Sequence, residues 1–66
     1  MLNEYDVVKL RVAKPEHGLA AGALGAILVV HKATKPAYEV EFCDSNGRTI
    51  VLLTLADADL VFVQPG

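Results

Sequence analysis

Residues 18–30, GLAAGALGAILVV, constrain the fold of this chain more than any other stretch. Gly18, Gly22 and Gly25 punctuate a loop of small residues, and the loop runs into the apolar segment 27–30. Glycine is favoured where a chain must take a positive φ or pass close to another backbone. A glycine-rich turn followed by β-branched residues predicts a loop leading into a buried strand. Leu19 to Gly22 is long enough for one helical turn and too short, and too glycine-interrupted, for a stable helix.

The rest of the chain supplies partners for that strand. Residues 5–12, YDVVKLRV, alternate, with Val8, Leu10 and Val12 on one face and Asp6, Val7, Lys9 and Arg11 off it. Period-two alternation is the mark of a half-buried strand. Residues 13–24 form a long connection that opens with the turn chemistry of Pro15 and Gly18. In the strand over 25–32, Ile27, Val29 and His31 share one face, and Ala26, Leu28, Val30 and Lys32 the other. Residues 37–43, AYEVEFC, put Tyr38, Val40 and Phe42 inward and Glu39 and Glu41 outward. Asn46-Gly47 predicts a hairpin turn into residues 48–55, where Ile50, Leu52 and Thr54 oppose Val51, Leu53 and Leu55. A polar corner at 56–59 predicts one turn of 3₁₀ helix before a last strand over 60–64. Five short strands, a long first loop and a turn before the last strand predict an all-β fold, a small bent barrel forming one domain over 1–66.

Two of these strands are apolar on both faces, and this bears on function. A strand of that kind is normally covered on both sides. A chain of 66 residues has little material for a second cover, and 53% of it is hydrophobic. The surplus residues Leu28, Val30, Val51, Leu53, Leu55, Val61 and Val63 therefore form a candidate interface, best covered by a second copy of the chain. The competing arrangement is a bulge that breaks the alternation and lets one core take them all. His17 in the long loop, with Glu39 and Glu41, forms a candidate surface for a protein partner.

Other chemistries find little support. The lone Cys43 makes no internal disulfide, and with His17 and His31 it has no zinc-ligand spacing. A thiolate–imidazole pair between Cys43 and His31 would need two separate strands to bring them together. The glycine loop lacks the Gly-Lys-Ser/Thr ending of a phosphate loop. Asp57 and Asp59 read as turn or cap residues before they read as cation ligands. The expected protein is non-catalytic, with no cofactor and no metal. A net charge of −2 argues against nucleic-acid binding. No apolar run approaches the ~20 residues of a membrane helix. The start MLNEYD has no basic, then apolar, leader pattern, so a cytoplasmic location is expected.

Several segments together carry a resemblance: LNEYDVV at 2–8, Pro15-Glu16 with Gly18-Leu19, Gly22, Gly25, YEVEF at 38–42, Gly47-Arg48-Thr49 and Leu53-Thr54-Leu55. In these the chain resembles the bacterial domain of unknown function 4926 family, and in outline an SH3-like barrel of the KOW kind. The resemblance implies a five-stranded SH3-like β-barrel and no activity. Ala23, Ala26 and the apolar tail Val61-Phe62-Val63 depart from the expected pattern and favour an added interface. The leading expectation is a protein-interaction module that self-associates, with a dimer favoured. The alternatives are a KOW-like RNA-binding or ribosome-associated barrel, with Lys9, Arg11, Lys32 and Lys35 as its basic candidates, and an accessory or antitoxin-like partner of a neighbouring gene product.

Overall fold

A computed structural model describes all 66 residues, Met1 to Gly66. Five strands form one antiparallel sheet: β1 (Val7–Leu10), β2 (Leu24–His31), β3 (Ala37–Cys43), β4 (Thr49–Ala56) and β5 (Leu60–Gln64). The order across the sheet is β4-β3-β2-β1-β5, so the last strand returns to pair with the first. There is no α-helix, only 3₁₀ turns at Pro15–His17 and Asp57–Asp59. The chain is all-β, as its alternation predicts.

The inner face of the sheet carries the core. Val8, Leu10, Ile27, Tyr38, Val40, Phe42, Leu55 and Leu60 are buried there, joined by Leu19 from the long loop. Register explains the set, because directly paired residues share a face. Phe42 lies opposite Gly25 and Val51, Val40 opposite Ile27 and Leu53, and Tyr38 opposite Val30 and Leu55. Glu39 and Glu41, one residue out of step, face outward.

Three bulges interrupt the alternation. Leu28 is the extra residue between the pairs Ile27↔Val40 and Val29↔Glu39. Ile50 is extra between Phe42↔Val51 and Cys43↔Thr49, and Val63 between Val7↔Gln64 and Val8↔Phe62. A bulge sets two residues against one and shifts the phase of everything beyond it. This corrects the face assigned to β2: past Leu28 it is Val30 that turns inward, and Val29, 43% exposed, that turns out beside Glu39.

The first strand is shorter than its alternation suggests. Tyr5 has φ +67° in a turn where the Asp6 N–H donates to the Asn3 carbonyl, so regular pairing starts at Val7, while the Tyr5 N–H still donates to the Ile27 carbonyl and the Asp6 carbonyl accepts the Ile27 N–H. Left-handed backbone of this kind ends a strand. Val12 lies beyond the strand and is 67% exposed rather than core. Arg11 instead stitches the end of β1 to the second 3₁₀ turn, its Nε donating to the Ala58 carbonyl at 3.0 Å and its Nη2 to that of Leu60 at 3.3 Å. In the long loop the helical turn falls at Pro15–His17 and not at Leu19 to Gly22, because Leu19 is drawn inward to 4% exposure by its bridge to Lys14.

Gly25 is required by its neighbours. A Cβ there would meet Val40 Cγ1 at 2.8 Å, the Glu41 carbonyl oxygen at 3.0 Å and Phe42 Cδ1 at 3.0 Å. Two of these belong to core side chains and the third to backbone, so little can yield. Gly25→Ala is expected to cost about 1–3 kcal/mol, the usual range for overpacking. Urea unfolding beside the unsubstituted chain measures this.

Candidate functional site

The sheet has two free edges, and they differ. β5 is five residues long, carries the Val63 bulge and runs into Pro65. Bulges, shortness and proline are the devices that blunt an edge. β4, TIVLLTLA, is eight residues long and contains no charged residue, no proline and no glycine. Its bulge sits at one end, at Ile50, and pairing with β3 is regular from Val51 to Ala56. Ile50 and Leu52 are 48% and 52% exposed. The backbone groups of β4 that face away from β3 therefore lie along an apolar, unguarded edge.

Beside that edge, the outer face of β3 is polar and ordered. The Glu39 carboxylate accepts from Thr54 Oγ1 at 2.8 Å and meets His31 Nε2 at 2.7 Å. These contacts, Thr54 first, hold the Glu39 carboxyl below the usual carboxylate range. Glu41 accepts from Thr49 Oγ1 at 2.9 Å. The two carboxylates are thus tied across β2, β3 and β4 by hydroxyl and imidazole groups. Around Glu41 the same face is apolar, with Val7 and Ala26 on one side of it and Leu52 on the other.

A third feature lies at the end of the sheet where the segment before β1 crosses the second 3₁₀ turn. The ring of Tyr38 is fully buried, and its hydroxyl donates to Asp57 Oδ1 at 2.6 Å while accepting the Leu2 N–H at 3.3 Å. Burial, then the bond to Asp57, raises the Tyr38 phenol above the ordinary tyrosine value of 10.0. A group whose folded pKa is raised stabilises the fold fully below its unfolded pKa and ceases to do so as pH rises through the folded value. Stability is accordingly expected to fall on the alkaline side of pH 10.0. Ultraviolet titration of a Tyr5→Phe chain, in which Tyr38 is the remaining phenol, should show ionisation coinciding with loss of structure.

The surplus apolar residues divide. The core takes Leu55, which is 6% exposed, and Val30, Val51 and Leu53 pack against it. These four are therefore corrected from interface to interior. Phase is the reason: the Leu28 bulge turns Val30 inward, and β4 presents its odd-numbered residues to the core. Leu28 and Val61 are half-buried, and Val63 is 41% exposed on the β5 bulge. The exposed apolar positions of β4 are instead Ile50 and Leu52. Outward-facing residues on an edge strand carry no signal in the sequence until the strand order is known.

The remaining candidates also separate. His17 is exposed on the first 3₁₀ turn, and the histidine that meets Glu39 is His31. His31 and Cys43 lie at opposite ends of the β2–β3 pairing, since His31 is opposite Ala37, the first residue of β3, and Cys43 is its last. At ~3.3 Å per residue they cannot form a pair. Asp59 caps the second 3₁₀ turn, accepting the Ala56 N–H at 3.0 Å. At the hairpin only Gly47 takes a positive φ, and Asp44 Oδ1 accepts the N–H groups of Asn46 and Arg48. No group of three or more His, Cys, Asp or Glu side chains converges on one point. No helix is long and apolar enough to cross a membrane.

A family model described as a domain of unknown function (DUF4926) matches residues 4–62. No curated protein and no solved structure matches the chain.

Proposed function

We propose a role for this protein from the premise that the chain belongs to the DUF4926 family: it is a non-catalytic interaction module that self-associates through β4. The uncharged, eight-residue free edge carries this reading. An exposed apolar edge strand pairs with another chain unless something blocks it, and β4 has no blocking residue beyond its terminal bulge. A second copy offers the same edge. Two β4 strands, antiparallel about a two-fold axis, would join two five-stranded sheets into one of ten strands. Such an interface is self-complementary and closes at two copies.

Side-chain phase narrows the geometry. The outer faces of both copies stay on one side when the axis passes midway between the two copies of one β4 residue, because alternation has period two. The middle of the strand offers Leu52 or Leu53. In the first case the two Leu52 side chains face each other; in the second each faces Thr54 of the other copy.

Solution mass by light scattering over a dilution series tests the proposal. A mass near twice that of one chain, holding down to low micromolar concentration, is expected. A mass of one chain throughout the series would overturn it.

The RNA-binding alternative gains little. It needs aromatic rings on a basic strand face, whereas Tyr38 and Phe42 are fully buried and the Arg11 guanidinium is engaged with backbone carbonyls.

A further inference from the structure

A cavity of about 440 Å³ opens at the end of the sheet, between the segment before β1, the second 3₁₀ turn and β5. Leu2, Leu60 and Phe62 supply apolar lining, and Asn3, Asp6 and Asp57 supply polar lining. The charged side chains are both carboxylates, and Met1, which bears the α-ammonium, completes the lining. The only ion pair in the protein is His31–Glu39, so neither Asp6 nor Asp57 has a cation within 4.0 Å.

Asp6 is the telling residue. It is 5% exposed and is the buried charged residue of the molecule. Burying a carboxylate is costly unless its oxygens are bonded, and an ionised carboxylate has room for about four donors. Asp6 receives one: the Asn3 backbone N–H donates to Oδ2 at 2.8 Å. Oδ1 has no partner in the protein. No buried side-chain oxygen is sealed away unbonded, so Oδ1 reaches the solvent of the cavity that Asp6 lines. Asp57 adds a second carboxylate, with Oδ1 held by the Tyr38 hydroxyl and Oδ2 free of protein partners. Phe62, half exposed, contributes an aromatic ring.

Two carboxylates with no cation within 4.0 Å, an aromatic ring and an alkyl wall together match one ligand chemistry. We propose that this cavity binds the cationic end of a lysine or arginine side chain presented by a partner protein. The ammonium or guanidinium donates to Asp6 Oδ1 and Asp57 Oδ2, its alkyl stem lies along Leu2 and Leu60, and the ring of Phe62 adds a cation–π contact. The site lies on elements other than β4, so it is independent of self-association.

The test is titration of the ¹⁵N-labelled protein with Nα-acetyl-lysine and Nα-acetyl-arginine methylamides, followed by amide shifts. Citrulline and norleucine derivatives of the same form serve as neutral controls, and a linear diamine tests whether a free amine suffices. Saturable shifts clustered at Asp6, Asp57, Leu60 and Phe62 are expected with the cationic derivatives alone, weakening as salt is raised. Asp57→Asn keeps an acceptor for Tyr38 while removing the charge, and is expected to weaken binding about tenfold, the scale of one charge-assisted bond. Glu16→Gln, on the exposed first 3₁₀ turn, should leave binding unchanged. Absent shifts, equal shifts with the neutral derivatives, or full binding by Asp57→Asn would each overturn the proposal. Binding of the diamine more tightly than either amino-acid derivative would overturn the assignment to a protein side chain.

Discussion

Phe42→Ala is expected to remove most of the stability of the fold. Phe42 is fully buried near the end of β3, opposite Gly25 on β2 and Val51 on β4. Truncating a buried phenylalanine costs about 3–5 kcal/mol, from lost transfer energy and from the cavity left behind. A domain of this length has a total of roughly 3–10 kcal/mol to lose. Collapse around the cavity would offset the cost, but here the gap adjoins Gly25, which has no side chain to move into it. The melting temperature should fall by more than about 12 °C, since 1 kcal/mol corresponds to about 4–8 °C at this size. Phe62→Ala is the comparison. Phe62 is half exposed on β5 and should cost much less, although both are strand phenylalanines. Melts at one fixed protein concentration keep any association from confounding the two. Equal losses would mean that the two rings are equally buried, contrary to the structure.

Leu52→Lys is expected to separate association from folding. Leu52 faces outward on β4, directly opposite Glu41 of β3. In a single chain the new ammonium lies beside that carboxylate, a cross-strand pair worth about 0.2–1 kcal/mol, so stability should hold or rise slightly. In the edge-paired dimer the same change removes the leucine contacts twice, once for each copy. Covering the exposed half of each leucine is worth about 1 kcal/mol, and two of them alone raise the dissociation constant about thirtyfold. Like charges near the axis, and lysine on an edge, raise it further. Light scattering should give the mass of one chain at concentrations where the unsubstituted protein is paired, with an unchanged far-ultraviolet spectrum. Persistence of the dimer in this variant would move the interface away from β4. Ile50→Lys, at the bulge, should act in the same direction with a smaller effect, because there the edge is already irregular.

Much of this architecture is legible in the residues, and the reasons it fades are local. AYEVEFC alternates without a break, and β3 has the bounds that alternation gives. β5 is framed by the acidic corner before it and Pro65 after it, and likewise keeps its bounds. β2 and β4 are harder because their bulge residues, Leu28 and Ile50, are apolar like their neighbours. An inserted polar residue would have shown the change of phase; an inserted leucine or isoleucine reads as a strand apolar on both sides. This is why Val30, Val51, Leu53 and Leu55 look surplus in one dimension and belong to the core in three. Leu19 could be read from the chain only as a loop residue, since its burial depends on a bridge between Lys14 and itself. Asp6 reads as polar surface by its charge, although period two alone sets it in line with Val8 and Leu10. The turn at Asn3 to Asp6, with the positive φ of Tyr5, instead carries its carboxylate to the cavity. The outward leucine of β4 gains its meaning from strand order, which depends on β5 finding β1.

That last pairing has a consequence for how the protein folds. β1 spans Val7–Leu10, and its partner β5 spans Leu60–Gln64, so the whole meander lies between them in the chain. Before β5 docks, β2, β3 and β4 can pair as a meander, but β1 lacks one neighbour and the core lacks Leu60. Contacts so distant in sequence form late and slowly. Through that interval the uncharged β4 edge is exposed on an incomplete sheet. A second copy in the same state offers the same strand, so two incompletely folded chains that meet can pair their β4 edges before either β5 has docked.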